Sequence, residues 1–191
     1  MRDSMKITVP YQFWHFLLVH LCAAGVAFVF QSVAFWYFLD KPIWKEVLSI
    51  VFILVYFGMM YTCAKKYAVQ DCKSYTPLKP SMIKAFLLGC FVSVWTLAVY
   101  LIFKASWAVF AVDGAVTNLV GLVINFVFMY WTFPFYGIMN ISAETITWYS
   151  EILIFAVPVL AAVLGYFAGC KNINIVESID KFAYEKESDD D

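Results

Sequence analysis

The sequence predicts an all-α integral membrane protein, a bundle of about five transmembrane helices, and three observations carry that expectation. Of the 191 residues, 63% are hydrophobic and only 14% are charged, whereas ordinary soluble domains carry roughly a quarter charged residues. The apolar residues are gathered into five long runs. Aromatic and lysine residues stand at the ends of those runs, as interfacial anchors do. A soluble fold of this length needs more polar cover than the chain can supply.

An α-helix rises about 1.5 Å per residue, so about 20 apolar residues cross about 30 Å of hydrocarbon. The first run covers about 13–38, with Tyr11, Phe13 and Trp14 at one end and Trp36 and Tyr37 at the other. Pro42 follows it and cannot continue a helix. The second run covers about 44–64 and is expected to stop at Lys65 and Lys66. The third covers about 83–103 and ends at Lys104, whose side chain can snorkel to the headgroups. The fourth covers about 115–136, opened by Asp113-Gly114 and closed by "WTFPFYG". The fifth covers about 152–169 and contains Pro158. A proline there predicts a kink, and the carbonyl it frees must find a partner inside the protein.

These spans make one domain, 1–170, followed by a short acidic tail, 171–191. "MRDSMK" precedes the first run, but that run exceeds the 7–15 residues typical of a signal-peptide core, which predicts an uncleaved anchor. In the tail, Ile175, Ile179 and Phe182 fall at i, i+4 and i+7, the spacing of a short amphipathic helix.

Five lysines between Cys63 and Lys84 set the orientation. Short basic loops stay in the cytoplasm, so the 65–84 loop and the N-terminus are expected inside. Five crossings would then put the C-terminus outside. If a stretch between Ala105 and Gly137 is re-entrant, four crossings return the tail to the inside.

The fourth run places Gly114, Asn118, Gly121 and Asn125 at steps of 4, 3 and 4, with Phe128 and Thr132 extending the row. Those steps hold one helix face. Such a strip can pack against another helix or line a solute path. Ala161, Gly165 and Gly169 recur at every fourth position, the small-xxx-small pattern of closely packed helices. Ala23, Ala27 and Ala34 form a weaker row. His20 is the deeper of two histidines, and a hydrogen bond to a neighbouring helix is its expected role. His15 and His20 lie five apart and cannot chelate one metal together. Glu144, Thr147 and Glu151 share a face at the start of the fifth span and suit a helix N-terminus.

No HExxH, GxSxG, Walker, Rossmann or CxxCH motif occurs, and no CxxC pair. Neither histidine has a serine, cysteine and acid set near it in the chain. No catalysis, cofactor or metal is expected. The five cysteines are expected to be reduced and buried. A net charge of −1 without a basic aromatic stripe gives no sign of nucleic acid binding. The excess of lysine over arginine suits an organism of AT-rich genome, so a bacterial cytoplasmic membrane is the expected location. The partners expected are the lipid bilayer and other membrane subunits or a second copy.

The functional expectation is therefore a subunit, assembly factor or regulator of a membrane complex. The alternative is a transport protein for a small solute or ion. In size and span number the chain resembles the substrate-binding subunits of vitamin transporters of the energy-coupling-factor type. That likeness implies solute binding but points to no residue.

Overall fold

The computed structural model describes residues 8–37, 42–73, 79–112, 115–116, 118–139 and 148–171. In chain order these form α1 (Val9–Tyr37), α2 (Pro42–Asp71), α3 (Met82–Phe110), β1 (Ala111–Val112), β2 (Ala115–Val116), α4 (Leu119–Thr132), a 3₁₀ turn (Phe133–Phe135), α5 (Tyr136–Met139) and α6 (Trp148–Cys170). The all-α membrane bundle is the observed class, and five segments are long and apolar enough to cross a membrane.

Three boundaries differ clearly from expectation. α3 does not end at Lys104 but runs on to Phe110, with Phe103 and Ser106 buried along it. Lys65 and Lys66 do not stop the second helix. It runs on to Asp71 because Cys63, Ala64, Tyr67, Ala68 and Asp71 continue its buried face at helical spacing. The fourth apolar run does not begin as helix at 115. Ala111–Val112 pairs antiparallel with Ala115–Val116, and the helix starts only at Leu119. Pro42 opens α2, at the position where a missing N–H costs nothing.

α6 is the centre of the bundle. Its small residues let neighbouring backbones touch it from two sides. A Cβ on Gly165 would collide with the Tyr61 carbonyl of α2, and one on Gly169 would lie 2.5 Å from the Lys65 carbonyl oxygen. Ala161 is fully buried in the same row. From the other side Gly89 of α3 packs its backbone onto Val159. Pro158 is buried near this contact, and the Ser93 hydroxyl lies 2.9 Å from the Phe155 carbonyl oxygen, one residue beyond the carbonyl that Pro158 deprives of its donor.

Cross-helix contacts give the direction of each helix. Gln12 near the start of α1, Asp71 at the end of α2, Lys84 near the start of α3 and Tyr166 near the end of α6 meet in one cluster. Those four helix ends therefore lie together. α4 starts at the opposite end and runs antiparallel to α3, with Phe128 stacked on Phe103 and Trp131 reaching Thr96. Its 14 residues span only about 21 Å.

The chain then turns back. Pro134 interrupts the helix, Phe135 packs on Tyr56, and the Gly137 N–H donates to Ser49 Oγ at 2.6 Å. Ser49 lies 22 residues before Asp71, about 33 Å along α2. The fourth apolar segment thus enters and leaves at the same end. Phe133, Pro134 and Phe135 are buried, which keeps non-helical backbone away from lipid.

All five cysteines are free, but only Cys63 is buried; Cys22, Cys72 and Cys170 are exposed and Cys90 is intermediate. Cys22 lies within α1 on an outer face, where lipid does not drive an apolar thiol inward, while Cys72 and Cys170 lie where α2 and α6 end.

Gly165→Leu should break the α2–α6 contact, since its side chain must displace backbone at Tyr61. Overpacking typically costs about 1–3 kcal/mol. We expect a lower melting temperature in detergent; an unchanged melting temperature would contradict this packing.

Candidate functional site

α1 turns one face inward along its whole length. Gln12, Phe16, His20, Ala23, Ala24, Ala27 and Gln31 are buried on it, and the three polar members mark three levels of the bundle.

At the first level the carboxylate of Asp71 is the acceptor for three helices. Lys84 Nζ contacts Oδ2 in a salt bridge, and the Tyr166 hydroxyl donates to the same oxygen at 2.6 Å. Gln12 Nε2 donates to Oδ1 at 3.2 Å. The Ser81 N–H donates to the Tyr166 oxygen at 3.2 Å. The Asp71 side chain is 0% exposed and that of Lys84 11%. A buried carboxylate is tolerable only with a paired cation and further donors, and Asp71 has both.

Beside it, His15 Nδ1 lies 2.5 Å from the Tyr67 hydroxyl and 3.8 Å from Cys63 Sγ. The fold thus brings a cysteine to a histidine 48 positions away, which chain spacing had given no reason to expect. The third group of this set is a phenol, not an acid, and among the described residues no three His, Cys, Asp or Glu side chains group for a metal.

The second level is His20. Its Nδ1 is 2.8 Å from the Tyr56 hydroxyl, a bond to a neighbouring helix. Its ring lies 4.8 Å from that of Trp131, whose Nε1 donates to Thr96 Oγ1 at 2.9 Å. The Thr96 hydroxyl in turn donates to the Val92 carbonyl. The turning point of the re-entrant segment is therefore clamped to α1, α2 and α3. Gly25 assists: Tyr130 donates to the Leu21 carbonyl at 3.2 Å, and a Cβ on Gly25 would sit 2.8 Å from that hydroxyl. His20 Nε2 is buried without a partner. This holds for either tautomer, because Nδ1 alone meets Tyr56.

The third level is Gln31, 11 residues further along α1, about 16 Å. It is 0% exposed and both amide atoms lack a partner. Gln12 Oε1 and Asn125 Oδ1 are likewise buried and unpaired. Native interiors satisfy nearly all such atoms.

The polar strip of the fourth segment divides. Asn118 is exposed and caps α4, accepting from the Val120 N–H at 2.9 Å. Gly121, Phe128 and Thr132 are buried and Asn125 is half-buried. Gly114 lies outside the described residues, as do Glu144, Thr147 and the tail beyond Lys171. Glu151 accepts from the Tyr100 hydroxyl at 2.6 Å, in the first turn of α6. Gln12, Gln31, Tyr56 and the Asp71 cluster were not singled out from the sequence. The signal for them was present: glutamines within an apolar span are costly, and so point to a site.

No protein-family model, curated protein or solved structure matches this chain.

Lys84→Met leaves Asp71 buried without its cation. Breaking a buried pair from one side costs about 3–5 kcal/mol, and we expect a loss of that order in a denaturant titration of the detergent-solubilised protein. Tyr166→Phe, which removes one hydrogen bond to a charged group, should lose about 1.5–3 kcal/mol. Equal stability of Lys84→Met and wild type would contradict the role given to the pair.

Proposed function

We propose that this protein binds a small polar solute inside the bundle, as a transport protein or its membrane-embedded binding subunit. The observation that carries the reading is Gln31: a fully buried amide with donor and acceptor both unpartnered, on the same face of α1 as the unpartnered His20 Nε2. Each unsatisfied buried group costs about 1–3 kcal/mol. A solute that both donates and accepts hydrogen bonds would offset that cost. The re-entrant segment supports the reading, because irregular backbone at mid-depth is the usual way to build a site between membrane helices.

The solute class that fits Gln31 is neutral, with an adjacent donor and acceptor, as in an amide or a heterocyclic edge. The one buried ion pair among the described residues, Asp71–Lys84, is already satisfied by its own partners. In this reading the protein sits in a bacterial cytoplasmic membrane with the Asp71 end inside. Lys65, Lys66, Lys73, Lys79 and Lys84 gather at that end, as the retention of basic loops in the cytoplasm requires.

The test is a thermal-shift screen of the purified protein against neutral polar metabolites. A true ligand at 100 times its Kd stabilises by about 2.7 kcal/mol. Gln31→Leu removes two unpaired polar atoms, so it should fold at least as stably as wild type while losing the ligand response. A wild-type protein that no compound stabilises, and that co-purifies with a stoichiometric membrane partner, would instead support the subunit reading.

A further inference from the structure

We propose that the acidic C-terminal segment, residues 172–191, docks in the lysine-lined groove on α2 of the same molecule. The groove is shallow, about 380 Å³, and is lined by Thr62, Lys65, Lys66, Val69, Gln70 and Lys73. These residues follow one another at steps of 3, 1, 3, 1 and 3, so they form one continuous face of the helix end. Three of the six are cations.

The fold delivers the segment to the groove. Gly169 packs against the Lys65 carbonyl, 2.5 Å from its would-be Cβ, and 2.6 Å from Ala68 Cβ. α6 ends at Cys170, so the chain leaves the bundle against the helix that carries the groove. The 20 residues after Lys171 hold seven acids and two lysines, a net charge of −5 and half of the 14 acids in the chain.

Size and pattern match as well. Thr62 to Asp71 spans about 14 Å of helix, with Lys73 in the turn just beyond it. The amphipathic stretch from Ile175 to Glu185 is about as long when helical. Ile175, Ile179 and Phe182 fall on one face of that predicted helix, with Asp180 and Glu185 on either side of it. An apolar stripe between acids suits Val69 and Thr62 between lysines. The proposal does not depend on solute binding within the bundle.

The test is disulfide crosslinking in full-length protein whose five native cysteines are replaced. Val69→Cys with Ile179→Cys is compared with Ile83→Cys with Ile179→Cys. Ile83 is an exposed residue near the same end, on α3. In nanodiscs of phosphatidylcholine at low salt, the Val69 pair should link at least several-fold faster. Lys66→Glu with Lys73→Glu should abolish the difference, and Asp180→Lys with Glu185→Lys in that background should restore it. Equal rates for the two pairs, or a difference that survives the Lys66→Glu, Lys73→Glu change, would overturn the proposal. Nanodiscs containing phosphatidylglycerol test the competing occupant. Docking predicts that the preference persists there, and its collapse to the Ile83 rate would assign the groove to anionic headgroups instead.

Discussion

The carboxylate of Asp71 is the constraint on which the arrangement of the chain depends. It is wholly buried, and it is met by side chains from α1, α3 and α6. An ionised group in that position must be surrounded by its partners or it destabilises the fold. The start of α1, the end of α2, the start of α3 and the end of α6 are consequently held together. Four helices with those directions leave an even number of crossings between the two termini. The fourth apolar segment, lying between α3 and α6 in the chain, must then return to the end it came from. Its short helix, its proline turn and the Gly137–Ser49 hydrogen bond are how it does so.

Two further features follow from that layout. α6 has neighbours on both sides, and it accommodates them through glycine: Gly165 and Gly169 toward α2, and Gly89 of α3 toward Val159. Without a hydrophobic force between helices in lipid, such close backbone packing supplies much of their attraction. The re-entrant segment fills the space left between α1, α2 and α3, and its tip lies at the level of His20. The buried face of α1 consequently carries Gln12, His20 and Gln31 past the elements packed against it. Their unpaired atoms, Gln12 Oε1, His20 Nε2 and both amide atoms of Gln31, are all buried on that face.

Much of the fold was legible in the sequence because lipid imposes a composition. The apolar runs and the packing row of Ala161, Gly165 and Gly169 could be read from residue type and spacing alone. Boundaries set by packing were less legible. Lys65 and Lys66 resemble the end of a span, yet the buried series from Cys63 to Asp71 carries α2 beyond them. Asn118 stood at helical spacing from Asn125, but an asparagine just before an apolar helix is also a good cap, and the backbone uses it so. Long-range meetings were not legible at all. Nothing local in the chain brings His15 to Cys63 or Tyr166 to Asp71, since these contacts exist only once four helices are aligned. Gln12 and Gln31 gave a visible signal as polar residues within an apolar run, though without the depth that makes them a site.

The side on which the 65–84 loop and the C-terminal segment emerge tests this arrangement most directly. In a variant without native cysteines, single cysteines at Ser74 and Ser188 are exposed to a membrane-impermeant thiol reagent in intact cells. On the orientation proposed above, with an even number of crossings, both should stay unlabelled until the membrane is permeabilised, because the 65–84 loop and the C-terminal segment then share the cytoplasmic side. Labelling of Ser188→Cys in intact cells, with Ser74→Cys protected, would require a fifth crossing and contradict the re-entrant path built around Asp71.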